Sequence, residues 1–468
     1  MRDAYDMVVI GGGPAGQGAA ELAAFYGRSV LLVQDGPPGG AVTTTGGVPT
    51  KTLREFARHV RDVGPEAMAP EQALLAMGTR TAAVCATVQR ATACEIAAAG
   101  VTAVRGRARL VDDRTVRVGD RAVTARSVVI ATGSRPRRLP FDDPAVYDPD
   151  GIFGMRVVPR DVVVVGAGAV GIEYATVFAA LGVAVTVVDR ADRPLPGMDE
   201  ELVDLLVDEC RELGIRFVHG ATVADVTRAG GRLAVTLSTC ARLTADAVLV
   251  AAGRAPVTDG LGLDDVGVRR GERGGIAVDA FFRTSVAGIY AVGDVVASTL
   301  ASTAAQQGRA AACHALGLVF GVAVDRAACT AVYGMPEIAG VGATERELTE
   351  RGVPHLVGRC DLATTPRGAI AGKGGLLKVV FRPDDRKLLG VHCVGEVAAE
   401  VVGLGQIALQ LDAAVDVFLA TALATPTYSA AYHAAAVDGI TRLARLQALS
   451  DTFTTARRAD GQIGRCPT

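Results

Sequence analysis

Two glycine-rich segments are the residues in this sequence whose type and spacing point most directly to chemistry. They are Gly11-x-Gly13-x-x-Gly16, which contains Pro14 and Ala15, and Gly166-x-Gly168-x-x-Gly171, which contains Val170. Each follows a short apolar stretch rich in β-branched residues and opens a helix-forming one, so its backbone amides can face the pyrophosphate of a dinucleotide. One such segment is weak support for a nucleotide site, because generic glycine turns are common. Two in one chain predict two nucleotide sites.

The residue that ends the strand after each glycine segment is expected to contact the adenosine ribose. After the first segment it is Gln34, followed by Asp35, and the Gln34 amide can donate or accept a hydrogen bond. After the second it is Asp189, an acid that favours the free 2′-hydroxyl of NAD(H). Arg190 and Arg193 follow and can pair with a 2′-phosphate, so NADP(H) remains an alternative ligand of this site. In both places a solvated loop is the alternative interpretation.

The hydrophobic pattern predicts the elements that position these segments. Strand, glycine turn, helix and strand follow one another in residues 7–33 and again in 162–189, an internal repeat of a nucleotide-binding βαβ unit. Between the repeats we expect an alanine-rich helix over 70–99 and then short strands. Residues 289–294 form a further strand, before a helix that starts near residue 300. After residue 328, hairpin-like strands and two helices predict an α+β unit without a glycine fingerprint.

Composition narrows the class of partner. The 48 basic and 50 acidic residues leave a formal charge of -2, so no basic field attracts nucleic acid or an anionic membrane, and a small molecule is expected. The nine cysteines form no CxxC pair and no zinc-ligand spacing, which is typical of reduced thiols in a cytoplasmic protein. The N-terminal residues have no signal-peptide pattern, and the apolar residues 162–188 suit a buried strand and helix better than a membrane span.

Three further motifs complete a pattern of five: Ala131-Thr132-Gly133, Ala252-Gly253-Arg254 and Tyr290-Ala291-Val292-Gly293-Asp294. The five motifs stand in the order and at the spacing of a known family. On this basis residues 5 to about 445 resemble the pyridine nucleotide-disulfide oxidoreductases of the lipoamide dehydrogenase and glutathione reductase type. The resemblance implies an α/β fold with two Rossmann-like domains, one for FAD and one for NAD(H) or NADP(H), and an α+β domain that forms a homodimer. The implied boundaries are 1–147 and 280–325 for FAD, 148–279 for NAD(P), 326–450 for dimerisation and 451–468 for a flexible tail.

The resemblance also assigns roles to single residues. Asp294 would hydrogen-bond the ribityl or pyrophosphate part of FAD, and the helix start at Leu300 and Ala301 would support the flavin pyrimidine edge. Lys51 and Glu173 match the family's ion pair beside flavin N5, where a fixed cation can tune the flavin as hydride arrives.

The redox-active disulfide of the family is expected to be missing. Val42 and Gly47 stand at the two cysteine positions that the resemblance identifies within residues 39–55. Thr425 and Ala430 stand at the positions of the family's His and Glu dyad. Valine and glycine form no thiolate that takes electrons from the flavin. Reduction of a disulfide or of lipoamide is therefore excluded as the expected activity.

Three functions stay open. Residues 147–155 and 298–311 look most like the soluble pyridine nucleotide transhydrogenases, in which a second nicotinamide nucleotide accepts the hydride. Asp189 counts against this function, since a transhydrogenase must also hold a 2′-phosphate. The segment that begins at residue 39 looks like NAD(P)H quinone reductases, for which a quinone, oxygen or a specialised metabolite is the acceptor. A nucleotide-sensing module is ranked last, because Lys51 and Glu173 are both present.

Overall fold

The computed structural model describes residues 1–64, 70–318 and 328–462. The chain divides into two compact units. The first comprises the described residues of Met1–Pro194 and Leu213–Arg326, and the second those of Leu195–Glu212 and Ala327–Thr468. The helices are α1 (Pro14–Phe25), α2 (Ala41–Thr44), α3 (Gly47–Val63), α4 (Pro70–Ala98), α5 (Ala169–Ala180), α6 (Glu200–Glu212), α7 (Ala301–Ala315), α8 (Glu345–Glu350), α9 (Pro366–Ala371), α10 (Ala398–Gln410), α11 (Asp416–Ala420) and α12 (Ala431–Gln462).

In the described parts of the chain, the strands contribute to five sheets. They are β1 (Ala4–Ile10), β2 (Val30–Gln34), β3 (Thr102–Arg105), β4 (Ala108–Leu110), β5 (Thr115–Val118), β6 (Arg121–Ile130), β7 (Ser134–Pro136), β8 (Val146–Tyr147), β9 (Asp161–Val165), β10 (Ala184–Val188), β11 (Arg216–Val218), β12 (Val223–Ala229), β13 (Arg232–Leu237), β14 (Arg242–Ala245), β15 (Ala247–Val250), β16 (Arg254–Pro256), β17 (Ile289–Ala291), β18 (Cys329–Val332), β19 (Glu337–Gly342), β20 (Leu356–Asp361), β21 (Gly375–Phe381) and β22 (Leu388–Gly395).

The first glycine segment joins β1 to α1. In this sheet the strand order is β3-β2-β1-β6-β5-β4, with β17 beside β6, and β1 pairs in parallel with β2 and β6. Met7 and Val9 pack in one buried cluster with alanines of α1 and α7, whereas Val8 and Ile10 lie in the cluster on the other face. Burial on both faces explains why β1 is almost continuously apolar.

The second glycine segment joins β9 to α5. The strand order here is β11-β10-β9-β15-β8, with β9 parallel to β10 and β15. Val163 and Val165 pack with Leu233 and Val235 of the antiparallel sheet β12-β13-β14. A two-stranded antiparallel ribbon of β7 and β16 completes the first unit.

The second unit is built on the antiparallel sheet β18-β19-β22-β21-β20. Its main buried cluster joins β19, β21 and β22 to α10 and α12, with Phe381 and Tyr432 among its largest fully buried side chains. The helix α6 belongs to this unit, although its residues lie within the sequence range 148–279 expected for the NAD(P) domain.

The structure contains the elements that the sequence predicts, with additions between residues 190 and 288, such as α6 and β12, and at the C-terminal end. Both βαβ repeats, the long α4, and the hairpin of β21 and β22 are present. The pattern missed β18, β19 and β20, and α12 continues to Gln462, past the start of the predicted tail at residue 451. Residues 463–468, with Cys466, lie outside the described residues. The boundary between the FAD and NAD(P) domains stays a prediction. Within the described ranges, no helix combines the length and apolarity needed to cross a membrane.

Candidate dinucleotide site

Two glycines of the first segment are required by the protein's own packing. Gly11 has φ 114°, and a Cβ on it would lie 2.1 Å from the Ala131 carbonyl oxygen. A Cβ on Gly16 would lie 1.8 Å from the Gly11 carbonyl oxygen. Neither position can hold a side chain without moving the turn between β1 and α1, because real Cβ atoms do not approach so closely.

Gly13 differs, because no described residue explains its lack of a side chain. Its φ of −78° suits any residue, and a Cβ there would meet no atom of the described residues within 4 Å. The open space lies at the N-terminus of α1, where unpaired backbone amides and the helix dipole attract a phosphate. The absence of a side chain at Gly13 is therefore best explained by the close approach of a ligand.

The second segment repeats this geometry. Gly166 has φ 107° and its Cβ would lie 2.5 Å from the Ala251 carbonyl oxygen, while a Cβ on Gly171 would lie 1.8 Å from the Gly166 carbonyl oxygen. Gly168, with φ −76°, again has nothing within 4 Å of its Cβ position. Val170 lies within the first turn of α5. Both segments thus present an open helix N-terminus that fits a pyrophosphate.

Alanine at Gly13 is expected to separate ligand binding from folding. The variant Gly13→Ala should keep the wild-type melting temperature as apoprotein but bind FAD at least roughly tenfold more weakly, about 1.4 kcal/mol, because its methyl group occupies the phosphate's space. Flavin fluorescence titration and thermal unfolding measure the two quantities. The matched variant Gly16→Ala should instead lose stability. Unchanged FAD affinity in Gly13→Ala would contradict the assignment.

A cleft of about 660 Å³ opens at the first segment, and we call it the dinucleotide cleft. Most of the residues predicted for the FAD site line it: Gly11, Gly13, Pro14, Ala15, Gln34, Asp35, Ala131, Thr132, Gly133, Arg254, Gly293, Asp294 and Ala301. Leu300 is the N-cap of α7, and Gly253 has φ 95° in the turn before β16. The sequence motifs of the FAD site therefore converge on one surface.

Gln34 has the properties of a ribose contact. Its Oε1 atom is buried and accepts no hydrogen bond from the described residues, and a Cβ on Gly12 would lie 1.9 Å from it. A buried acceptor without a donor is costly, and a ribose hydroxyl would supply the donor. Asp35 instead pairs with Arg107 Nε at 3.0 Å, with both side chains well exposed. Of the two predicted residues, Gln34 fits the role better.

Asp189 accepts hydrogen bonds from backbone amides at the second glycine turn. Its Oδ2 accepts from the Ala167 amide at 2.5 Å and its Oδ1 from the Ala191 amide at 2.7 Å. Both bonds occupy carboxylate lone pairs, although each oxygen can accept a second donor. In the loop that follows, Arg190 is exposed and Arg193 is half-buried.

Asp294 is held in place by neighbours that the sequence motifs did not identify. Its Oδ2 accepts from the Ser134 hydroxyl at 2.6 Å, and its Oδ1 from the Thr299 amide at 2.9 Å. The Gly293 amide donates to Gln307 Oε1 at 2.9 Å. Ser134 follows Gly133 directly, so its place next to a motif was the only signal available in the sequence.

The Lys51–Glu173 ion pair, expected from the resemblance, is present. Lys51 on α3 places Nζ 2.9 Å from Oε1 and 2.8 Å from Oε2 of Glu173 on α5. The Lys51 side chain is 32% exposed and that of Glu173 12% exposed. The pair joins residues 122 positions apart in the sequence, so only the tertiary fold brings them together.

Val42 and Gly47 are neighbours in space. A Cβ on Gly47 would lie 3.1 Å from Val42 Cγ1, so side chains at these positions would touch. The eight cysteines among the described residues are free. Burial raises the pKa of the Cys210 thiol to about 12 and also raises that of Cys85, which disfavours the reactive thiolate form of both.

In the second unit, the segment predicted to replace the family's His and Glu dyad connects α11 to α12. Thr425 and Ala430 lie at its two ends. Between them, the Tyr428 hydroxyl donates to Glu396 Oε2 at 3.2 Å.

Comparison with known proteins identifies the family of the chain. Residues 5–308 match the family model described as pyridine nucleotide-disulphide oxidoreductase, and residues 328–436 match its dimerisation domain. The chain is 37% identical to the soluble pyridine nucleotide transhydrogenase of Mycobacterium bovis, covering 95% of this chain and 99% of the relative, and 35% identical to that of a Marinomonas strain, covering 94% and 99%. The crystal structure of LpdA from Mycobacterium tuberculosis superposes with a TM-score of 0.86 at 29% identity, covering 92% of this chain and 98% of that one. The chain therefore belongs to the pyridine nucleotide-disulphide oxidoreductases, FAD-dependent enzymes that use NAD(H) or NADP(H), as the sequence motifs indicated.

Proposed function

We propose that this protein is a soluble pyridine nucleotide transhydrogenase, which transfers hydride between NAD(H) and NADP(H) through bound FAD. The observation that carries the proposal is the Lys51–Glu173 pair, retained in a chain with two dinucleotide fingerprints but with Val42 and Gly47 in contact where a disulfide would have to lie. The relatives named as transhydrogenases match along almost the whole chain, which supports the same function.

The residues of the first unit have distinct roles in this proposal. FAD supplies a centre that accepts hydride and passes it on. The N-terminus of α1 at Gly13 holds the FAD pyrophosphate, and Gln34 accepts a hydrogen bond from the adenosine ribose. The N-terminus of α5 at Gly168 holds the nicotinamide nucleotide in the same way. With FAD bound, Lys51 would stabilise negative charge on the flavin, and Glu173 holds the Lys51 ammonium group in place.

A transhydrogenase has to bind nucleotides with and without a 2′-phosphate. Asp189 can still accept a ribose hydroxyl through its remaining lone pairs, which suits NAD(H). Arg190, which is exposed, and Arg193 can turn towards a 2′-phosphate, which suits NADP(H). We propose that this loop accepts both nucleotides.

The test is the rate of thio-NAD⁺ reduction by NADPH with purified, FAD-loaded protein. Under the same conditions, an NADH-to-quinone assay measures the competing activity. Transfer between nucleotides that is faster than quinone reduction is the expected result. If both nucleotides bleach the flavin but thio-NAD⁺ is not reduced, the transhydrogenase proposal fails.

A quinone reductase is the second candidate. The observation that favours it is the wall of the dinucleotide cleft formed by Val42, Thr44 and Thr45, small side chains that leave space for an acceptor other than a nucleotide. In that case quinone reduction would exceed transfer between nucleotides. Excess NAD⁺ would slow the enzyme, but reduction of the quinone acceptor would continue.

Restoring two cysteines should install a redox-active disulfide. Because side chains at positions 42 and 47 would touch, the double variant Val42→Cys/Gly47→Cys is expected to form a disulfide. Anaerobic titration with dithionite should then consume four electrons per FAD, two for the flavin and two for the disulfide. The wild type and the single variant Val42→Cys should each consume two. Two electrons in the oxidised double variant would show that the positions do not form the pair.

We also propose that the protein is a homodimer in the cytoplasm. The C-terminal residues match the family's dimerisation domain, and Ile407 on α10 and Leu411 at its C-cap are 57% and 75% exposed in the single chain. Such apolar side chains are often covered by a partner subunit. Sedimentation velocity should give twice the mass of one chain.

A further inference from the structure

Four polar side chains follow one another along the wall of the dinucleotide cleft: Asp294, Ser134, Arg254 and Asp150. The Ser134 hydroxyl, which donates to Asp294, accepts from Arg254 Nε at 2.8 Å. Arg254 Nη2 donates to the Ser134 carbonyl at 2.7 Å, and Arg254 Nη1 lies 3.7 Å from Asp150 Oδ1. The family motifs include Asp294 and Arg254 but assign no role to Ser134 or Asp150.

Asp150 is the one member of this series whose carboxylate lacks a donor among the described residues. Its Oδ1 atom is buried and accepts no hydrogen bond. The 3.7 Å to Arg254 is an ion-pair distance but too long for a hydrogen bond. Because two bonds to Ser134 fix the guanidinium group, Arg254 cannot close this gap without losing them.

The backbone around Asp150 is also fixed. The amides of Asp150 and Gly151 both donate to Asp148 Oδ1, at 3.1 and 2.6 Å. The Pro149 carbonyl accepts from the buried Tyr174 hydroxyl at 3.2 Å. Tyr174 is the neighbour of Glu173 on α5, so the loop that carries Asp150 is attached to the helix that carries the ion pair. Asp150 is thus presented to the cleft by a rigid support.

A buried carboxylate oxygen that accepts no hydrogen bond is costly, and a ligand that donates one would remove this cost. An ionised carboxylate only accepts hydrogen bonds. It repels the phosphates of a dinucleotide but suits the dinucleotide's neutral donors, which are hydroxyl and amide N–H groups.

We propose that Asp150 binds a neutral hydrogen-bond donor of a bound dinucleotide, and that Ser134 is the positioning residue that fixes Arg254 between Asp150 and Asp294. The donor is either a hydroxyl of the FAD ribityl chain or a hydroxyl or carboxamide N–H of the nicotinamide half of NAD(P)H. This inference rests on the proposed use of two dinucleotides, but not on which acceptor receives the hydride.

The test is the isosteric variant Asp150→Asn, which removes the charge and half of the acceptor capacity. FAD affinity of the apoprotein is measured by quenching of flavin fluorescence, and affinity of the FAD-loaded protein for NADH and NADPH by absorbance titration. A loss of roughly tenfold or more is expected, because hydrogen bonds to charged groups are the strong ones. Weaker FAD binding alone identifies the ribityl hydroxyl. Weaker binding of both nicotinamide nucleotides alone identifies the nicotinamide half.

Unchanged affinity for FAD and for both nucleotides would overturn the proposal. The control is Asp142→Asn, an exposed aspartate in the preceding connection, between β7 and β8, which should leave all three affinities unchanged. Ser134→Ala should reduce the same affinity as Asp150→Asn, and Ser134→Thr should restore it by keeping the hydroxyl. If Ser134→Ala binds like the wild type, Ser134 is not a positioning residue. Because the readouts are binding constants, a protein that fails the thio-NAD⁺ assay can still confirm or refute this inference.

Discussion

Replacing Lys51 with methionine is expected to slow the reduction of bound FAD by NADH about a hundredfold. The physical reason is that a preorganised charge next to the reacting atoms stabilises charge that develops in the transition state, and removal of one such group typically costs a factor of about 100 to 1,000. Methionine keeps most of the side-chain volume, so the packing of α3 against α5 should survive. Stopped-flow absorbance at the flavin band measures the rate in a single turnover.

Three comparisons make the Lys51 experiment specific. Lys373→Met removes an exposed lysine from the second unit and should reduce FAD at the wild-type rate. Glu173→Gln leaves the ammonium group in place but removes its partner, so an intermediate rate is expected. FAD content of each variant is measured in parallel, so that loss of cofactor is not mistaken for slow reduction. A wild-type rate in Lys51→Met would remove Lys51 from the mechanism.

The glycine segments were predictable from sequence because their chemistry is local. Gly11 and Gly16 lie within one turn between a strand and a helix, and the apolar runs around them give the βαβ order directly. The structure adds a distinction that the sequence motif does not contain. Gly16 is needed by the fold, whereas a side chain at Gly13 would meet no atom of the described residues, which leaves room for a ligand.

The polar networks could not be predicted in the same way, because their members are distant in the chain. Ser134 and Arg254 meet only because β7 and β16 pair in a ribbon. Asp150 lies in a connection whose sequence pattern gives no sign of a fixed carboxylate. Lys51 and Glu173 were found in advance only through resemblance to a family, since no periodicity links α3 to α5.

The buried lysine of the second unit is another feature that no sequence pattern indicated. Lys378 on β21 is 2% exposed, and its ammonium group lies 2.9 Å from Asp199, 3.0 Å from Glu201 and 2.6 Å from Glu345. Arg359 donates two bonds to Glu201, at 2.8 and 2.9 Å. Asp199 and Glu201 come from α6 and the residue just before it, so the cluster ties that segment to the sheet of its own unit.

Replacing Lys378 with methionine is expected to destabilise the protein by about 3–5 kcal/mol, because it leaves the buried Asp199 carboxylate without its cation. Urea unfolding followed by circular dichroism measures the loss. The double variant Lys378→Met/Asp199→Asn should recover most of the stability, since it buries no unpaired charge. The control is Lys387→Met, which removes an exposed pair with Asp412 in the same unit and should cost less than about 1 kcal/mol. Equal losses of unfolding free energy in Lys378→Met and Lys387→Met would contradict the claim that burial makes the Lys378 pair important.

The contribution of the Lys378 cluster should also depend on pH in a defined direction. Burial by itself would lower the pKa of Lys378, but its hydrogen bonds to Glu345 and the charge of Asp199 outweigh burial and raise that pKa. Burial by itself would raise the pKa of Glu201, but the bonds from Arg359 and Lys378 outweigh it and lower that pKa. A raised lysine pKa stabilises the fold below the unfolded value of about 10.4, and a lowered glutamate pKa stabilises it above about 4.3. The stability difference between wild type and Lys378→Met should therefore be constant from about pH 5 to 9 and should shrink as acid protonates Glu201. A difference that persists unchanged at pH 3 would mean that packing of the lysine stem, rather than its charge, holds α6 in place.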